Sequence, residues 1–195
     1  LLKSKYKIII TTRNLTKAKK KFKHNKLILL NQLNVLKKNE IKNLILKYKP
    51  QVIFYFAGQS SPKLSFSKKN LTYQSNFIGC KNFLDVLIET NHICKFVNSA
   101  SSEIYGNSIK KVGLKTVKKP LNPYGEAKLK SFQITKKYRD KYKMNNYNAI
   151  IFNTESKIRE KSFLIPKICI AALRAKKYGS ITKFGNLQIS REWNW

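Results

Sequence analysis

Glycine is scarce: seven residues in 195, the first at Gly58. A glycine-rich turn that lets backbone amides close on a phosphate at a helix N-terminus is therefore excluded from the chain before that position. Acids are scarce as well, nine against 41 lysines and arginines, for a formal charge of +32. Only five of the bases are arginine (Arg13, Arg139, Arg159, Arg174 and Arg191), and the lysines spread over nearly every segment. Charge so distributed reads as lysine filling exposed positions, not as a dedicated nucleic-acid surface, although anions would still be attracted. Cys80, Cys94 and Cys169 stand far apart with no histidine cluster beside them, which supports neither a disulfide framework nor a metal site. No apolar run approaches the roughly 18 to 20 residues that span a bilayer, and no signal peptide opens the chain. The reading is a soluble, cytoplasmic protein.

What is present is a globular composition, 42% hydrophobic, in strands that alternate with helices. Residues 6–12 (YKIIITT) form a strand-like run ending at Arg13, and Asn14 opens a lysine-rich connection to a second strand over 26–30. Ile41, Leu44, Ile45 and Tyr48 repeat at a helical period that Pro50 ends. Residues 51–57 (QVIFYFA) are apolar on both faces, as a buried parallel strand should be. A helix over 73–89, a strand over 95–99, a helix from Pro123 through Tyr138, a strand over 147–152 and a helix over 163–177 follow. The alternation predicts an α/β fold with a doubly wound parallel sheet.

The segment from Asn98 to Lys128 is the richest in chemistry. It places a hydroxyl at Ser101, a carboxylate at Glu103 and a Tyr124/Lys128 pair at i,i+4, a spacing that stacks both side chains on one helical face. A lysine ammonium beside a phenol favours the phenolate, so Tyr124 is expected to have a lowered pKa and to serve as a base. Taken alone, the pair is equally an ordinary solvated helix pair. Its company argues for function, because the preceding strand delivers Ser101 and Glu103 to its carboxyl end, the edge at which open parallel sheets bind ligands.

These residues resemble the extended short-chain dehydrogenase/reductases, and within that group the GDP-mannose 4,6-dehydratases. SSEIYG and YGEAK carry the broad likeness; FNTES (Phe152 to Ser156) and Arg191-Glu192-Trp193 carry the narrower one. The resemblance implies a Rossmann-like sheet that lacks its first, central strand and glycine-rich loop. That strand would lie between those of residues 6–12 and 51–57. Leu1-Leu2-Lys3 reads as the tail of a helix, with roughly 25 residues expected upstream by analogy with the βαβ unit and more beyond Trp195. Such a fragment is expected to be inactive alone. Residues 1–152 would be an incomplete NADP-binding domain and 153–195 the start of a sugar-nucleotide-binding region.

The resemblance also implies roles. Tyr124 would remove the C4 hydroxyl proton as hydride passes to a nicotinamide, Ser101 would hydrogen-bond the C4 oxygen, and Lys128 would hold the nicotinamide ribose. Glu103 would take the C5 proton as water leaves from C6. An epimerase acting at C4 needs no such extra base, so Glu103 speaks for a dehydratase. Arg13 suits a 2′-phosphate, favouring NADP with NAD as the alternative. Gln32 and Leu33 would meet the adenine, Gly58 and Ser60 the rest of the cofactor. Asn153, Lys167 and Arg191, with Glu155 and Arg159 beside them, would meet the substrate diphosphate. Departures from the pattern are Ser101 for threonine, Gln32 for aspartate and Trp195 for histidine. A homo-oligomer is implied. The rivals are another sugar-nucleotide epimerase or dehydratase, a non-catalytic relative and, more distantly, a basic nucleic-acid-binding protein.

Overall fold

The computed structural model describes residues 6–22, 27–108, 111–185 and 192–194. Leu1-Leu2-Lys3, Arg191 and Trp195 lie outside the described residues. Two units are distinguished, Leu1–Ala149 and Ile150–Trp195.

In the first unit, β1 (Ile8–Thr12) pairs in parallel with β2 (Ile28–Gln32), from Ile8 opposite Ile28 to Thr12 opposite Gln32. A parallel pair needs a crossover, and α1 (Leu15–Phe22) lies within it. This stretch reads in the sequence as a lysine-rich connection; it is helical because the Asn14 side chain caps it, Oδ1 accepting from the Lys17 amide at 2.9 Å, and lysine is a good helix former. Ala18 is the residue that α1 buries.

β3 (Val52–Tyr55), β4 (Lys95–Ser101) and β5 (Asn146–Ile151) form a second sheet in the order β3-β4-β5. β3 and β4 are parallel, Val52 opposite Lys95. Among the described residues β1 pairs with β2 alone, and β3 with β4 alone.

α2 (Lys38–Tyr48) turns the fully buried Ile41 and Ile45 inward, and Lys49, at a left-handed φ of 42°, donates its amide to the Ile45 carbonyl before Pro50. α5 (Gly79–Glu89) supplies Phe83, Leu84 and Leu87 to the same core, against Tyr55 of β3 and the fully buried Phe96 of β4. Tyr55 and Phe83 meet edge to face at 5.5 Å between centroids. The helix expected over 73–89 is preceded by two short ones, α3 (Pro62–Ser67) and α4 (Lys69–Tyr73), and its first turn is a π turn, Gln74–Ile78. Ser61 caps α3, accepting from the Leu64 amide at 3.3 Å, with Pro62 in the first turn.

α6 (Pro123–Tyr142) packs on β4 and α5. Its buried face is polar where it meets the sheet: Asn98 of β4 donates to Ser131 at 3.3 Å and to Asn148 of β5 at 2.8 Å, and Asn148 donates to the Phe132 carbonyl at 3.0 Å. Each of these amides finds a partner, as burial demands.

In the second unit, β6 (Asn153–Thr154) pairs in parallel with β7 (Trp193–Asn194), and α7 (Leu164–Tyr178) ends at Gly179, whose φ of 63° suits a residue without a Cβ. Among the described residues no helix is long and apolar enough to cross a membrane.

Candidate active site

β4 runs two residues past the expected strand, to Ser101, and the chain then tightens into a 3₁₀ turn, Ser102–Tyr105. The Ser101 hydroxyl accepts from the Glu103 amide at 3.3 Å, which caps that turn. The N-terminus of α6 closes on the same point. Asn122 caps the helix, Oδ1 accepting from the Gly125 amide at 2.8 Å, while its Nδ2 donates to Glu103 Oε2 at 2.8 Å. Gly125 is required by proximity, since a Cβ there would lie 2.7 Å from the Glu103 carbonyl oxygen. Asn122 is a residue the sequence reading missed, although an asparagine immediately before Pro123 is a helix-start signature.

Tyr124 and Lys128 follow on the first turns of α6, so Ser101, Glu103, Tyr124 and Lys128 converge. The Ser101 side chain lies near enough to the Tyr124 phenol to favour its ionised form. The Lys128 Nζ lies 5.8 Å from the Tyr124 ring centroid and donates instead to the Ser99 carbonyl at 2.7 Å and the Ser99 hydroxyl at 3.2 Å. The electrostatics therefore differ from expectation. Burial pushes the Tyr124 phenol above its ordinary value, the Ser101 side chain opposing and the Glu103 charge adding to the rise. The expected lowering by Lys128 is not seen, because the ammonium reaches past the phenol to β4. Lys128 is itself brought down to about 8 by desolvation.

A buried ammonium with a depressed pKa binds fewer protons in the folded than in the unfolded chain between about pH 8 and the ordinary 10.5. Its penalty is thus present in full below pH 8 and fades as pH rises. Lys128→Met is expected to stabilise the fold by about 2 kcal/mol near neutral pH, after allowance for the Ser99 acceptors left unpaired. Urea denaturation at about pH 7 and about pH 9.5 checks this, the gain shrinking at the higher pH. An unchanged or lowered stability at neutral pH would refute it.

A second cluster lies at the carboxyl ends of β1 and β2. Arg13, Gln32 and Leu33 line a cleft of about 600 Å³ together with Lys37, Lys47 and Glu40. Three cations against one acid suit an anion, and the acid is engaged locally: Glu40 accepts from the Asn34 amide at 2.8 Å and pairs with Lys37 at 3.2 Å. Those contacts, the Asn34 bond first, hold the Glu40 carboxyl below its ordinary pKa. Gln32 and Arg13 are exposed, while Leu33 is buried in the core.

Gly58 and Ser60 lie in the exposed loop after β3. Gly58 has φ +148°, and a Cβ on it would meet Asn76 Oδ1 at 2.3 Å. Asn76, buried in the π turn, donates to the Gln59 and Thr72 carbonyls, both at 3.0 Å, and the Gln59 amide donates to Ser75 Oγ at 3.2 Å. The π turn thereby pins the loop, and nothing in the helical periodicity signals it.

In the second unit, Glu155 is buried and faces Arg159 at 3.7 Å, a separation too long for a hydrogen bond, leaving Glu155 Oε2 without a partner. The Arg159 guanidinium lies 3.7 Å from the Phe163 ring centroid. Asn153 donates to the Glu192 carbonyl at 3.2 Å, and exposed Lys167 donates to the Lys183 carbonyl at 3.2 Å. Glu155 and Arg159 are brought together; Asn153 and Lys167 have separate partners.

A family model described as GDP-mannose 4,6 dehydratase matches residues 1–195. The GDP-mannose 4,6-dehydratase of Sinorhizobium fredii (strain HH103) is 32% identical over 155 residues, covering 77% of this chain and 44% of that protein. The GDP-mannose 4,6 dehydratase of Homo sapiens is 33% identical over 157 residues, 77% of this chain and 41% of that protein. The matches thus span less than half of these relatives. Among solved structures, a DesIV double mutant (dTDP-glucose 4,6-dehydratase) from Streptomyces venezuelae, with NAD and DAU bound, superposes with a TM-score of 0.81 at 16% identity, covering 96% of this chain and 58% of that one. RMD from Pseudomonas aeruginosa, complexed with NADPH, gives 0.75 at 19% identity, covering 96% and 69%. At those identities the likeness establishes the Rossmann-like α/β fold. Family model and relatives together establish that the chain belongs to the GDP-mannose 4,6 dehydratase family.

Proposed function

We propose that this protein is the NADP-binding and catalytic part of a GDP-mannose 4,6-dehydratase, a hydro-lyase that converts GDP-mannose to GDP-4-keto-6-deoxymannose. The observation that carries the reading is that Glu103 joins Ser101 and Tyr124: its amide donates to the Ser101 hydroxyl, its charge acts on the Tyr124 phenol, and Asn122 holds its carboxylate. A hydroxyl and a tyrosine suffice for oxidation at C4; a further base is what elimination requires.

The cationic cleft of Arg13, Lys37 and Lys47 fits the phosphorylated adenosine end of a dinucleotide, and Gln32 offers an amide to the base. On this reading Gly58 and Ser60 line the remainder, and Lys128 holds the nicotinamide ribose. A bound nicotinamide supplies a hydride acceptor for C4 and returns the hydride to C6. The chain's own residues move the protons. Tyr124 takes the C4 hydroxyl proton while Ser101 holds the C4 oxygen. The resulting ketone acidifies C5; Glu103 removes the C5 proton and passes it to the C6 oxygen as the C6–O bond breaks, so that water leaves, and the proton held by Tyr124 returns to C5 when C6 is reduced. Asn153, Glu155, Arg159, Lys167 and Arg191 serve the sugar nucleotide, and the protein assembles with copies of itself.

The test is to incubate the full-length protein that carries these residues with GDP-mannose and NADP and follow the product by mass. Loss of one water supports the dehydratase; a product of unchanged mass but altered stereochemistry moves the reading to an epimerase, and no turnover with any sugar nucleotide to a non-catalytic relative. Cofactor choice is read separately by calorimetry: Arg13→Ala is expected to weaken NADP binding about tenfold while leaving NAD within about twofold. Equal losses for both would remove Arg13 from the 2′-phosphate.

A further inference from the structure

Lys128 is 6% exposed and has no carboxylate partner among the described residues. A buried ammonium is tolerated only where other groups satisfy its protons. Here both hydrogen-bond acceptors belong to one residue of β4, Ser99, itself 6% exposed. The Ser99 hydroxyl spends its own proton on the Tyr55 carbonyl of β3 at 2.8 Å. With that proton committed, the hydroxyl can only accept from Lys128, so its lone pairs are aimed at the ammonium by the pairing of β3 with β4. Ser99 stands two residues before Ser101 on the same strand face.

We propose that Ser99 is a positioning residue for Lys128: oriented by the Tyr55 carbonyl, its hydroxyl and carbonyl form a two-acceptor socket that sets where the ammonium stands relative to Tyr124. Oxidation at C4 then depends on a residue that touches neither sugar nor cofactor. The inference rests on the reading of Tyr124 and Lys128 as the redox pair, but the socket itself is testable without turnover. Other ionisable groups near the ammonium are Tyr124 on α6 and Cys80 on α5, and Tyr55 of β3 backs Ser99. Cys80 is neutral, burial holding its thiol near 12. The Tyr55 hydroxyl, also raised by burial, donates to the Ser75 carbonyl at 2.6 Å. Neither supplies a negative charge near neutral pH to replace the socket.

The experiment is an NMR titration of protein labelled with ¹³C at lysine Cε, the Lys128 signal identified by its loss in Lys128→Met. In the wild type the Lys128 midpoint is expected near 8. Ser99→Ala deletes one acceptor of the charged form and is expected to lower the proton affinity of Lys128 about tenfold; Ser99→Thr, which keeps the hydroxyl, leaves it within about twofold of wild type. Should Ser99→Ala fail to fold, Ser99→Cys, close in volume and a weaker acceptor, is read the same way. A merely structural serine would lower the melting temperature without moving the Lys128 midpoint. An unmoved midpoint in both folded Ala and Cys variants, or the same displacement in Thr, overturns the proposal. Absence of turnover in the wild type would sink the dehydratase reading and leave the titration to decide the socket on its own.

Discussion

Tyr124→Phe is expected to lower kcat for water loss from GDP-mannose by about a thousandfold, within the range that a positioned acid or base contributes. The substitution deletes one oxygen and keeps the ring, so the ring's proximity to Lys128 (5.8 Å) survives while the hydroxyl beside Ser101 is gone. Stability should change little; the phenol, raised by burial, is neutral near neutral pH and adds no charge to lose. The pH dependence carries a sign of its own. A base acts only when deprotonated, and burial and the Glu103 charge both oppose ionisation of Tyr124. Wild-type activity should therefore climb with pH on the alkaline side, and the residual activity of Tyr124→Phe should lack that climb. Residual activity within about fivefold of wild type, with the same pH profile, would assign the base role elsewhere.

β1 to β5 were legible because each contains a short apolar run, whereas the two-residue β6 and β7 carry no such run; β4 could be placed beside its chemistry because Ser101 ends it and Glu103 lies two residues on. The Tyr124/Lys128 pair was legible as a spacing, but its electrostatics were not. Whether an ammonium lowers a phenol's pKa depends on where its Nζ points, and Lys128 points to Ser99 across 29 residues of sequence. α1 was obscured by its lysines, which read as a solvated connection until Asn14 is recognised as a cap. The π turn at Gln74–Ile78 has no periodic signature; it arises from tertiary bonds between Asn76 and the loop after β3. Asn122 was within reach, since Asn-Pro announces a helix start. That its other amide edge also grips Glu103 follows only when α6 and the 3₁₀ turn are seen to meet.

Glu103→Gln should stop elimination while sparing the fold, lowering dehydration by about a thousandfold. The glutamine is nearly isosteric, and its carbonyl oxygen can accept from Asn122 Nδ2 as Glu103 Oε2 does at 2.8 Å, so the cap of α6 need not loosen. What is lost is the capacity to take a proton. Oxidation at C4 relies on Ser101 and Tyr124 and is left standing, which separates the two halves of the reaction. Run in heavy water, the wild type should incorporate deuterium on the carbon next to the keto group and lose water; Glu103→Gln should do neither, returning substrate of unchanged mass. Incorporation of deuterium without loss of water would divide the roles, with another residue removing the C5 proton and Glu103 serving the departing hydroxyl. Dehydration within about fivefold of wild type would show that Glu103, for all its placement beside Ser101, only caps the junction of the 3₁₀ turn with α6, and the case against an epimerase would lose its support.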